Sequence, residues 1–243
     1  MTAVTASDVP ERALVVAAHA DDVDFRCAGT LAAWCGQGTA VTLALLTDSA
    51  KGSHDLSLSD DEVAALRRTE QRAAAARVGY RDVRELGEID GLLRADERVI
   101  EWLVRVIRDA RPDVVLTYDP WAPYILHPDH TTAGDAAFRA VIRAREPRFC
   151  RDLADEGLPP WRVSQLWLFG APEPDHIEDI SGSFDTKLDA ILCHRSQYET
   201  EMGFSEGDEA GRAAFVERMR AMFGKIGASG GFSYAESYRR LAL

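Results

Sequence analysis

Two clusters, His19-Ala20-Asp21-Asp22 and His127-Pro128-Asp129-His130, carry the side chains that a divalent metal and a hydrolytic reaction both need. A catalytic zinc site takes three nitrogen or oxygen ligands and keeps a fourth position open. His19, Asp22 and His130 can supply those three, since residues at i and i+3 of a turn after a strand can point to one place. Asp21 is then left uncoordinated beside the metal. His127 and His130, spaced by three, share a helix face, which leaves His127 free to act on the substrate as a donor to an oxyanion or a leaving amine. Taken singly, adjacent aspartates are more often a helix cap or an Asx turn, and a His-x-x-His pair is a weak signal. Two clusters with complementary donor types favour the metal.

The elements that must bring these clusters together alternate along the chain. Residues 13–18 form an apolar run without polar alternation, as expected of a strand buried on both faces, and the first cluster begins where it stops. A helix over 29–34 and a buried strand over 41–46 follow, with Gly36 and Gly38 between them. Ser59 and Glu62 form a capping-box pattern opening a long helix that runs to Gly79. A strand over 82–86, a helix over 97–110 and a strand over 113–117 continue the alternation, and Pro128 suits the first position of the next helix with His127 as its cap. The pattern weakens beyond residue 144, where a strand over 165–169 and helices over 184–194 and 208–223 are expected. This order predicts an α/β fold: a Rossmann-like three-layer sandwich with a mostly parallel sheet and right-handed crossovers. Ligands in such folds bind beyond the carboxyl ends of the strands, where both clusters fall. One domain over 1–243 is the simplest organisation, with a divergent segment from about residue 195.

Composition narrows the partners. A net charge of -12 disfavours nucleic acid and an anionic membrane surface, which both require a basic face, and favours a small molecule. The four cysteines form no CxxC pair and suit a reducing cytoplasm. After a polar leader over residues 1–12, which reads as neither signal nor anchor, no apolar run approaches the ~20 residues that a membrane span needs. A homo-oligomer is left open.

The run Ala18-His19-Ala20-Asp21-Asp22 after an apolar strand, and His127-Pro128-Asp129-His130 opening a later helix, resemble the two signature motifs of the PIG-L/LmbE deacetylase family. The likeness extends through Thr47-Asp48, Arg67-Arg68-Thr69-Glu70, Asp90-Gly91 and His194-Arg195-Ser196-Gln197. The resemblance implies a Rossmann-like hydrolase that uses zinc, or another divalent transition metal, to remove an acetyl or other acyl group from the amine of an amino sugar, glycoconjugate or related metabolite. It implies metal on His19, Asp22 and His130, Asp21 as general base, His127 as the partner of the tetrahedral intermediate, and Arg67 and Asp90 as substrate contacts. An amidase for a thiol conjugate or a natural-product intermediate, and a metal-binding protein without catalysis, are the alternatives. The chain departs from the family at Ala20, where proline is common, and at Val23, where glutamate is frequent. A tyrosine that assists the oxyanion in some members falls on Ile125, leaving that role vacant or to Tyr124. The residues 118–124 before the second cluster are candidates to line the pocket.

Two rivals fail on context. Gly203-Phe204-Ser205-Glu206-Gly207 matches a nucleophile elbow, but no buried strand precedes it and no histidine follows His194. Gly36 and Gly38 precede a strand, whereas a dinucleotide phosphate loop follows one.

Overall fold

The computed structural model describes residues 9–243 and the backbone of Thr2–Ala3. Residues 1 and 4–8 of the polar leader lie outside the described residues. Thr2–Ala3 is β1, and the first apolar run becomes β2 (Arg12–Ala17). Two helices follow where the sequence suggested one, α1 (Asp22–Arg26) and α2 (Ala28–Cys35), and then β3 (Ala40–Thr47). The capping box is formed: Ser59 accepts from the Glu62 amide, Glu62 reaches back, and α3 (Asp60–Val78) ends at Gly79 with φ 114. β4 (Asp82–Glu88), α4 (Glu97–Ala110), β5 (Val114–Tyr118) and α5 (Pro128–Arg145) complete the regular part.

Beyond it come a short α6 (Asp152–Asp155), β6 (Gln165–Phe169), β7 (His176–Asp179), α7 (Phe184–Ile191), α8 (Glu209–Gly230) and β8 (Ala235–Ala242). The sheet has eight strands in the order β1-β7-β8-β6-β5-β2-β3-β4. β2 through β6 are mutually parallel, β8 runs antiparallel between β6 and β7, and β1 pairs in parallel with β7. The mostly parallel α/β sandwich is therefore present, with one reversed strand that the sequence pattern did not disclose. β8 reads Ala-Glu-Ser-Tyr-Arg-Arg-Leu-Ala, too polar for the continuous apolar run expected of a buried strand.

Alternate residues of β2 show why the sheet is covered twice. Ala13, Val15 and Ala17 pack with Leu31 and Trp34 of α2 and Ala74 and Val78 of α3. Leu14 and Val16 pack on the other face with Ile100, Leu103 and Ile107 of α4 and Ala136 and Ala140 of α5. A third cluster joins α7 to α8 through Phe184, Leu188, Phe215 and Phe223.

One buried ion pair ties β8 to the element that carries Asp22. Lys187 Nζ and Glu236 Oε1 lie 2.7 Å apart with both side chains fully buried. The ammonium also donates to the carbonyls of Asp24 and Phe25 at the end of α1. The carboxylate accepts from the amides of Gly29 and Thr30 at the start of α2, so the pair satisfies orphan groups of two helices at once. Removing one member leaves an unpaired buried charge. Glu236→Ala is therefore expected to lower stability by about 3–5 kcal/mol, read as a shift of the urea midpoint; a midpoint within error of the parent contradicts this reading.

Candidate active site and metal centre

β2 sits between β3 and β5, so the chain winds outward from β2 in one direction and from β5 in the other. The crevice beyond the carboxyl ends of β2 and β5 is thus the topological switch point of the sheet, the place where such folds bind ligands. The first cluster occupies the turn from β2 into α1. The second enters from above β5, with His127 as N-cap of α5, its side chain accepting from the Asp129 amide, and Pro128 in the first turn.

Three donors converge there. His19 Nδ1 is 3.3 Å from His130 Nε2, and His130 Nε2 is 3.1 Å from Asp22 Oδ1; the shortest His19 Nδ1 to Asp22 approach is 3.7 Å. Two nitrogens held about 2.0–2.1 Å from a tetrahedral ion lie about 3.3–3.4 Å apart, so the spacing of His19 and His130 fits a common metal. Asp22 is pre-aimed: Oδ2 accepts from the amides of Ala18 and His19, and Oδ1 from the Tyr118 hydroxyl at 2.8 Å. His127 adds a third ring nitrogen within reach of His19 and His130.

Beside the donor group of His19, His127 and His130 stands a second, His19, Asp90, His127 and Asp129. Its carboxylates behave as supports rather than free donors. Asp129 spends its oxygens on the amides of Gly91 and Leu93 and on His19 Nε2 at 3.2 Å, while Asp90 Oδ1 lies 3.0 Å from the same nitrogen. A histidine that gives one nitrogen to carboxylates presents the other to a metal with a fixed tautomer. Burial opposes charge on His19, but Asp129, Asp90 and Asp22 together push it up to about 10, so this pocket favours a positive charge at that place.

Asp21 stands apart from these bonds. Its carboxylate lines the cavity and, among the described residues, pairs only with Arg67, at 3.2 Å. Burial pushes it up to about 6 against the pull of the Arg67 guanidinium, close to where a general base is effective. Arg67 is itself buried and donates to the carbonyl of Ser49, so much of its hydrogen-bonding capacity is spent on the protein. Burial and the neighbouring His19 and His130 hold His127 below its ordinary value, which leaves it neutral near pH 7.

Gly134 decides how closely α5 approaches β5. A Cβ there would stand 2.3 Å from the Tyr118 carbonyl oxygen. The close approach lets the His130 ring stack on Tyr118, with centroids 4.1 Å apart and planes 7° from parallel. Gly134→Ala should push α5 outward and cost more activity than stability. Parent-like turnover with an intact melting curve contradicts this.

Comparison with known proteins follows the same residues. A model of the family described as GlcNAc-PI de-N-acetylase, PIG-L, matches residues 14–141. The chain belongs to the PIG-L family. It is 33% identical over 192 residues to a diacetylchitobiose deacetylase of Thermococcus kodakarensis, covering 79% of this chain and 72% of that protein. It is 32% identical over 187 residues to a 1D-myo-inositol 2-acetamido-2-deoxy-alpha-D-glucopyranoside deacetylase of Thermobispora bispora, covering 66% of this chain but only 59% of that longer protein. Among solved structures, N,N'-diacetylchitobiose deacetylase from Pyrococcus horikoshii superposes with a TM-score of 0.86 at 31% identity, over 97% of this chain and 85% of that one.

The departures from other PIG-L members have local explanations. The Ala20 amide donates to Ser49 Oγ at 2.9 Å, a bond that proline could not make, so the ligand turn is latched rather than loosened. Val23 is fully buried in the core under β2. Tyr124 does not take over the vacant tyrosine position: it is 94% exposed, and among the tyrosines it is Tyr118 that lines the cavity. Of residues 118–124 only Tyr118 does so; Trp121 packs its ring against Phe138 instead. Asp48 caps its own loop, accepting from the amides of Ala50 and Asp90.

The cavity, ≈ 490 Å³, is lined by His19, Asp22, His130 and Asp21 and also by Phe25, Met219 and Met222. Tyr118 belonged to the run expected to line the pocket, whereas Gln71, Asp24 and Asp129 were not among the site residues expected from sequence. Asp129 stood inside the second cluster, and His194 and Gln197 belonged to a recognised motif, but nothing local marked Gln71 or Asp24. No helix among the described residues is long and apolar enough to cross a membrane.

Proposed function

We propose that this chain is a zinc-dependent N-deacetylase acting on the acetylated amine of an amino sugar or glycoconjugate, with metal on His19, Asp22 and His130. The observation that carries the reading is His130 Nε2 standing 3.3 Å from His19 Nδ1 and 3.1 Å from Asp22 Oδ1 in an open cavity beside a carboxylate, Asp21, that none of them uses. The names of the relatives support the same chemistry and substrate class. A divalent ion held by these three supplies Lewis acidity to the acyl carbonyl and lowers the pKa of water at the site. Asp21 takes the proton of the attacking water. His127 donates a hydrogen bond to the oxygen that becomes negative, and Asp21 returns a proton to the departing amine, giving carboxylate and free amine. Arg67 holds the base, and Asp90, which lines the cavity, meets substrate hydroxyls.

The segment from about residue 195 completes this single catalytic domain, since Met219 and Met222 of α8 add an apolar wall to the cavity. That apolar wall keeps amides of thiol conjugates or natural-product intermediates as a second substrate class. The free cysteines Cys27, Cys35, Cys150 and Cys193 suit a reducing cytoplasm. Elemental analysis of the purified protein, paired with amine-release assays over N-acetylglucosamine, diacetylchitobiose, N-acetylglucosaminyl inositol and N-acetylcysteine conjugates, tests the reading. Metal-dependent release from the sugars is expected. No bound metal and no release from any of them refutes it.

A further inference from the structure

The catalytic side of the first cluster depends on an unusual backbone. Asp21 has φ 90 and ψ -28, in the left-handed region, and it is neither glycine nor asparagine. Such a conformation costs about 1 kcal/mol or more and persists only where the surroundings enforce it. It lets His19 and Asp22 face one point while the side chain between them turns into the cavity. The enforcing contact comes from α3. The Asp21 amide donates to Gln71 Oε1 at 2.9 Å, and Gln71 is fully buried.

The amide of Gln71 has its orientation set in turn. Its Nε2 donates to Asp24 Oδ2 at 3.0 Å, which leaves only the oxygen to face Asp21. Asp24 Oδ2 lies 2.8 Å from His194 Nε2, and both of these side chains are fully buried. Asp24 Oδ1 has no partner among the described residues, so both bonds fall on one oxygen. A buried carboxylate satisfied on one side destabilises the fold. What it provides here is direction: a line from His194 through Asp24 and Gln71 to the backbone of Asp21, drawn from three separate segments.

We propose that Gln71 is the positioning residue of the base Asp21, held in its working orientation by Asp24 and His194. The inference rests on the deacetylase reading for its kinetics but not for its geometry. Gln71→Met keeps the volume and removes both bonds. It is expected to lower kcat by roughly 10–100-fold, the range for outer hydrogen-bond partners of a catalytic group, with KM and metal content close to the parent. In a crystal structure of the metal-free variant, Asp21 should leave the left-handed region.

Gln71→Glu should fail as well, because it sets two carboxylates against each other. Adding Asp24→Asn to it restores a donor facing an acceptor and should recover most of the lost kcat, an outcome that a merely space-filling Gln71 does not produce. The proposal is overturned if Gln71→Met keeps kcat within twofold, if metal content falls in step with kcat, or if Asp21 keeps its backbone conformation. If Gln71→Met does not fold, absence of recovery in the paired variant overturns it. A parent protein that releases amine from no substrate refutes the deacetylase reading alone; the conformation of Asp21 in the variant crystal still decides the role of Gln71.

Discussion

Asp21→Asn should abolish most turnover while leaving the protein folded and loaded with metal. General-base catalysis contributes roughly 10²–10⁴-fold to a hydrolytic rate, and kcat is expected to fall by that amount. Asparagine has nearly the same shape, can still accept from Arg67 at the 3.2 Å now observed, and keeps the amide bond to Gln71. What it lacks is the capacity to take a proton. KM should change little, because the lost interaction belongs to the transition state rather than to substrate binding. Steady-state kinetics, elemental analysis and a melting curve on the same preparation separate these expectations. Parent-like kcat in the asparagine variant removes Asp21 from the mechanism and leaves His127 as the remaining candidate base.

His130→Ala should cost the metal itself. The ring supplies one of three neighbouring donors, and His19 offers no second nitrogen in its place, since His19 Nε2 is already committed to Asp129 and Asp90. The loss of affinity should exceed the roughly 10–100-fold that outer partners of metal ligands are worth. Activity should fall to background, and chelator treatment of the parent should reproduce the loss. Adding divalent metal back should restore the stripped parent and not the variant. A variant that retains metal and activity excludes His130 from the ligand set and places His127, the other imidazole of that group, in its stead.

Some of this was legible in the sequence for physical reasons that differ by element. α4 is found at residues 97–110 as expected, because its apolar residues recur at the helical period and Asp96 caps it. β2 and β3 announced themselves as apolar runs because a parallel sheet covered on both faces demands them. The convergence of the two clusters followed from topology, since strand carbon termini in such a fold share one edge. β8 was hidden because its partners are supplied from distant parts of the chain: Tyr238 opposes Phe169 on one side and His176 on the other. Gln71 and Asp24 were hidden for the same reason. A buried amide and a buried carboxylate in helices look like surface polar residues until the packing of α1, α3 and the segment at His194 is known. Arg67 was expected against the substrate, and its carbonyl partner at Ser49 could not be foreseen from spacing.

The place of β8 also bears on the order in which the molecule can be made. The strand that joins β6 to β7 follows both of them in the chain, so on a ribosome the β7 edge has no central partner until residues 235–242 have emerged. Glu236, in that same strand, holds the junction of α1 and α2 through Lys187. A nascent chain that stops short of it therefore carries every candidate ligand and the base, yet lacks the brace behind the turn that presents them. Sheet closure here is a late and long-range event, of the kind that slows folding and exposes unpaired edges. Arrested chains ending before residue 235 should stay protease-sensitive around residues 22–35, and chains extended past residue 242 beyond the exit tunnel should become resistant.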